Sequence, residues 1–175
     1  MKLLPDSRLR MASRSGFTAV EVFVVVGVIV IMAGIAMVNL TRLLHSDRLS
    51  AASREVVSQL RVAQTSAVKT GRYYRFVTKP AQPDSYRTEM SADNVAWPAT
   101  TDTVASTAGA MPRVIIDWVS LSGEYPGVSV STPNTVPFDF RGAIANSGGS
   151  FVIALVGPTG GKTITINHAG GISVQ

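Results

Sequence analysis

Gly16-Phe17-Thr18-Ala19-Val20-Glu21 opens the stretch that decides the fold, and Val22 to Val38 completes it with seventeen residues that carry no polar side chain. Between Phe17 and Val38 the only polar interruptions are Thr18 and Glu21. At about 1.5 Å per residue this run makes a helix of roughly 33 Å, close to the thickness of a bilayer core. Val and Ile are abundant, but the length and the near-absence of helix breakers favour a membrane helix over a buried strand. Gly27 and Gly34 lie seven apart, so two turns bring them to one face, where small residues allow close helix contact.

The flank before this run is basic, with Lys2, Arg8, Arg10 and Arg14 against Asp6. That charge predicts a cytoplasmic N-terminus and an exported C-terminal domain, although Arg42, Arg48 and Arg54 follow on the far side. A secretory signal peptide is the competing reading. It would be cut after the apolar run at a small-x-small site, which Ala33-Gly34-Ile35-Ala36 could mimic. The length of the run and a glutamate near its start argue against that reading. A carboxylate at membrane depth costs a few kcal/mol and needs a partner, and no Lys or Arg lies within one helical turn of Glu21. A cut between Gly16 and Phe17 would place a new ammonium four residues from it, on its own chain or on a neighbour's. The alternative is a glutamate that snorkels to the headgroups.

Outward from the membrane run the helical pattern continues. Leu49, Ala52, Val56, Leu60, Ala63 and Ala67 recur at steps of three or four and form one apolar stripe. Gly71 suits the residue that closes the helix after Lys69. One helix is therefore predicted from about 18 to 70, roughly 80 Å long. From Arg72 the pattern turns to strands: 73–77, 86–90, 113–119, 128–131, 136–140, 151–156, 163–166 and 172–174. A hairpin is expected around 80–84. Residues 91–112, rich in Ala, Thr and Ser, read as a loop with little packing, anchored by Trp97. The predicted class is α+β: one long N-terminal helix packed on antiparallel sheets of seven or eight short strands. The predicted organisation is a leader at 1–16, a transmembrane half of the helix at 17–40, an amphipathic half at 41–71 and a β-rich head at 72–175.

Charge is unevenly spread. Between 41 and 80 lie Arg42, Arg48, Arg54, Arg61, Lys69, Arg72, Arg75 and Lys79 against Asp47 and Glu55. Beyond residue 80, Arg87, Arg113, Arg141 and Lys162 face seven acidic residues, so the head is not basic as a whole. There is no cysteine, which excludes disulfides and thiolate metal sites. His45 and His168 are far apart, and no paired carboxylates have a useful spacing, so neither an enzyme nor a cofactor is expected. Gly157-Pro158-Thr159-Gly160-Gly161-Lys162-Thr163 invites comparison with a phosphate loop. It has three residues where that loop needs four, and a strand pattern where a helix should follow; it reads as a hairpin turn.

The junction Ser15-Gly16-Phe17-Thr18-Ala19-Val20-Glu21, with a basic leader before it and an apolar run after it, resembles the class III signal of type IV prepilins and type II secretion pseudopilins. The resemblance implies cleavage by a prepilin peptidase between Gly16 and Phe17 and N-methylation of Phe17. It further implies an assembly salt bridge from Glu21 to an N-terminal amine. Many members carry a helix-kinking proline near the end of the apolar run, where this chain has Ala36-Met37-Val38-Asn39. The Phe138-Asp139-Phe140-Arg141-Gly142 segment and the strands up to Val174 resemble the GspH/FimT group of minor pilins and pseudopilins, as does the helix segment Leu60–Ala67. The implied protein is a non-catalytic filament subunit, single-pass in the inner membrane, with a periplasmic head. Its partners would be the peptidase, other pilins or pseudopilins, the inner-membrane assembly platform and membrane lipid. The alternative is a DNA-binding minor pilin of a competence pilus. Lys69, Arg72, Arg75 and Lys79 could meet phosphates, but their other reading, a solvated helix end plus the outer face of the first strand, is preferred. FimT-like DNA binders carry arginines after the final glycine, where this chain has Gly171-Ile172-Ser173-Val174-Gln175.

Overall fold

The computed structural model describes residues 16–79, 84–99, 102–145 and 149–175. The leader up to Ser15 and most of the expected hairpin turn at 80–84 lie outside the described residues. The chain divides into two compact units, one ending at Leu40 and the other spanning Thr41–Gln175.

Helix α1 covers Ala19–Thr70, 52 residues. Thr18 caps it: its Oγ1 accepts from the Glu21 backbone N–H at 3.3 Å, and its carbonyl accepts from Val22 N–H. The first bond satisfies a donor that a helix start leaves unpaired, and the second is the first i→i−4 bond of the helix. The backbone is helical through Ala36–Asn39, where a proline would have removed a donor. In the unit ending at Leu40, the side chains from Phe17 to Met37 are all exposed.

In the second unit the expected stripe is the wall of the core. Leu49 is 5% exposed, and Ala52, Val56, Leu60, Ala63 and Ala67 are fully buried. Alanine predominates at the C-terminal end of this stripe, which lets the sheets approach the helix axis. Gly71 ends α1 in the left-handed region, φ +63, and the Arg72 N–H reaches back to the Ala67 carbonyl at 3.3 Å. This closing bond ties up one of the last orphan carbonyls.

Eight strands follow, in two antiparallel sheets. The first has the order β3 (Arg113–Ser120), β2 (Ser85–Ser91), β1 (Tyr73–Lys79) and β5 (Thr135–Phe138). The second has the order β4 (Ser129–Thr132), β6 (Phe151–Gly157), β7 (Gly160–Ile166) and β8 (Ile172–Val174). Strand β1 alternates cleanly, with Tyr74, Phe76 and Thr78 facing the core and Arg75, Val77 and Lys79 facing away. Phe76, Phe138, Ile153, Leu155, Ile164 and Ile166 from both sheets fill a common core against α1.

Three local expectations differ from the structure. A one-turn helix α2, Leu121–Glu124, follows β3; its N-cap Ser120 accepts from Gly123 N–H. The strand expected to reach Phe140 stops at Phe138, because Asp139 folds the chain into a turn by accepting from the N–H groups of Arg141 and Ala143. The Gly157–Lys162 turn is tighter, with Gly157 paired to Gly160 across Pro158-Thr159.

Candidate functional site

The N-terminal candidates stand together at the start of α1. Gly16 lies just before the helix, Phe17 is 82% exposed, and Glu21 is exposed in the first turn. Glu21 is the only charged residue between Gly16 and Thr41. Thr18 and Glu21 also occupy the two key positions of a capping box, Thr-x-x-Glu. Neither sequence reading of Glu21, as an assembly residue or as a glutamate that snorkels to the headgroups, included this cap position, although the spacing signals it.

The four basic candidates separate into two environments. Lys69 and Arg72 are exposed at the end of α1. Arg75 and Lys79 are half-buried on the outer face of β1. Arg75 pairs with the fully buried Glu89 of β2, and its guanidinium lies 4.3 Å from the Trp97 ring centre. Lys79 lies 5.5 Å from the Trp118 ring centre. Arg87, itself buried, also pairs with Glu89 and stacks 4.7 Å from Trp118. One carboxylate thus sits between two guanidinium groups, and two indoles cover the cations.

Most described side chains of the 91–112 segment are exposed, as expected, but parts of it pack over this cluster. Arg87 donates to the carbonyls of Ala99 at 2.9 Å and Asp102 at 3.2 Å. Thr107 is buried and accepts from Val114 N–H, and Asp117 accepts from Val104 N–H. Asp93 accepts from Val95 and Ala96 N–H, and these bonds hold its carboxyl below the usual carboxylate range. A sequence rich in Ala, Thr and Ser hides this packing because backbone carbonyls and small hydroxyls carry it. On the other side of the first sheet, the Tyr86 hydroxyl donates to Glu55 at 3.0 Å. Burial, and then Glu55, push its phenol well above the ordinary value.

The tail motif is fastened to the helix by one amide. Gln64 Nε2 donates to the carbonyls of Gly142 at 2.7 Å and Gly170 at 3.0 Å. Gly142 (φ +79) and Gly170 (φ +84) both need left-handed backbone. A Cβ on Gly170 would lie 2.2 Å from the Gly142 carbonyl oxygen, so glycine is required there by space as well as by φ. The Phe138-Asp139-Phe140-Arg141-Gly142 segment is therefore a docking turn. Tyr73 meets Phe140 edge-on at 6.2 Å. His168 is exposed in the neighbouring turn, where its carbonyl accepts from Ile144 N–H. Among the described residues no cluster of three potential metal-ligating side chains occurs.

With this geometry in place, the sequence profile of the family described as Type II transport protein GspH matches residues 52–170. That span begins in the buried stripe of α1 and ends at the glycine held by Gln64. The chain belongs to the GspH family. The GspH match extends through 80–135 and stops short of the N-terminal junction. No curated protein matches the chain by sequence. Among solved structures, the type IV minor pilin FimU of Pseudomonas aeruginosa is similar in fold, with a TM-score of 0.50 at 15% identity. The match covers 74% of this chain and 90% of FimU. One long N-terminal helix on antiparallel sheets is thus shared between this GspH-family chain and a pilin.

Proposed function

We propose that this protein is a minor pilin or pseudopilin, a structural subunit of a type IV pilus or type II secretion pseudopilus. The observation that carries the reading is the state of α1 in the unit ending at Leu40. More than twenty consecutive positions after Gly16 hold one charge, Glu21, and expose every described side chain. A helix of that kind needs lipid or other helices around it.

In this reading a prepilin peptidase cuts between Gly16 and Phe17, and the new Phe17 amine is methylated. The segment 17–40 holds the protein in the inner membrane with the head in the periplasm. On extraction by the assembly platform, the same segment packs against other pilins. Glu21 then neutralises an N-terminal amine and fixes axial register, because in a low-dielectric core an unpaired carboxylate is unfavourable by several kcal/mol. The DNA-receptor reading is weaker. Arg75 is already engaged with Glu89 and Trp97, and Lys79 with Trp118, which leaves Lys69 and Arg72 open.

Co-expression with a prepilin peptidase, followed by intact-mass measurement, tests the proposal. The expected product begins at Phe17 with one added methyl, and Gly16→Val blocks its formation. Maturation of Gly16→Val to the same mass overturns the reading.

A further inference from the structure

The outward face of α1 in the second unit carries a charge ladder that the head does not neutralise. A cleft of ≈ 640 Å³ runs along it, lined by Arg54, Arg61 and Lys69 with Val57, Val62 and Val174 among them. The three cations are exposed. They repeat at seven and eight residues, so on the helix they share one face at about two-turn spacing, roughly 10–12 Å apart. Arg42 and Arg48 extend the same sign toward the N-terminus. Two carboxylates lie on this part of α1. Glu55 is turned away, accepting from Tyr86 Oη and Gln59 Nε2, which leaves Asp47 exposed.

We infer that this cleft is the docking face for an acidic amphipathic helix of a different subunit, one that presents carboxylates every seven or eight residues. Three features select that occupant. The spacing matches successive heptads of a parallel-running helix, on which residues seven apart share a face. Val62 on α1 and Val174 on β8, both exposed, add apolar surface beside the cations, as a helix partner requires. A second copy of this chain docked face to face would bring Arg54, Arg61 and Lys69 against the same cations, and like charges at an interface oppose association. Duplex DNA fits less well: each strand carries a charge every ~3.4 Å, and the valines would lie against phosphates. The chain would therefore not pair with itself face to face through this cleft.

The inference rests on reading the chain as a filament subunit, and its test is separable from that reading. The full chain in zwitterionic micelles is titrated with a synthetic helix about four heptads long, bearing glutamate at every seventh position and aliphatic residues between. A lysine counterpart and a short DNA duplex serve as competing probes, and sedimentation reports self-association. The glutamate helix should bind about 30-fold more tightly than the lysine helix, about 2 kcal/mol. Arg54→Glu/Arg61→Glu/Lys69→Glu should reverse that order. Arg54→Gln/Arg61→Gln/Lys69→Gln should erase it, with circular dichroism unchanged in both variants. Equal binding of the two helices overturns the inference. So does DNA binding of equal strength that the reversal abolishes, or wild-type self-association that the reversal abolishes. Normal cleavage at Gly16 with no discrimination between helices removes this inference alone. Discrimination without cleavage removes the processing reading and leaves the docking face standing.

Discussion

The two halves of α1 both carry apolar surface, yet they solve the burial problem in opposite ways. From Val56 to Ala67 the apolar positions are narrowed to a stripe and covered by the chain's own sheets. From Val22 to Met37 the apolar surface goes all round and none of it is covered. The contrast extends to carboxylates. Glu89 is sealed between Arg75 and Arg87, while Glu21 stands exposed with no cationic side chain nearby in sequence. The first region spends its sequence on self-recognition, the second on what other molecules will supply.

Substitutions can break this contrast, most forcefully at the carboxylates. Glu89→Ala leaves two guanidinium groups without their anion, one of them buried, and should destabilise the head by about 3–5 kcal/mol in urea unfolding. Glu21→Ala should leave the same transition unchanged. At the apolar positions, Leu60→Ala opens a cavity between α1 and the sheets and should cost about 2–5 kcal/mol. Val26→Ala should leave head unfolding within about 0.5 kcal/mol of wild type. Gln64→Ala strands two carbonyls under the tail turns; a loss of about 1–3 kcal/mol is expected, with faster hydrogen exchange at Ile144 and Gly171. At the junction, Thr18→Ala removes the cap and should weaken the first turn by about 1 kcal/mol, read as faster exchange at Glu21 with the head unaffected. The mildest effect is alkaline. Tyr86 has a raised folded-state pKa, so the stability it contributes is complete below its unfolded value near 10 and fades as pH rises beyond it. Tyr86→Phe should flatten that alkaline decline; an unaltered decline would mean that the phenol does not titrate with unfolding.

Much of this was legible in the residues themselves. The buried stripe, the closing Gly71 and the terminal hairpin each follow from a local rule of period or turn chemistry; the first two lie where those rules put them, and the hairpin does so with a tighter turn. The outer face of the first sheet did not follow from such rules. Alternation along β1 placed Arg75 and Lys79 on one face, but whether that face met solvent depended on Glu89, Trp97 and Trp118, up to some forty residues away. The loop that covers them carries no periodic signal, because Arg87 grips it through backbone carbonyls that every sequence possesses. At Glu21 the Thr-x-x-Glu spacing of the cap was present in the sequence and went unread.

Gln64 carries a mechanical consequence. A single side-chain amide on α1 holds two loops separated by 28 positions, at Gly142 and Gly170. If α1 is pulled along its axis while neighbours grip the head, the load passes in shear through this rivet and through the alanine-lined contact beside it. Failure at that one amide would release both turns together, while β6, β7 and β8 stay held through Ile153, Leu155, Ile164 and Ile166 in the core.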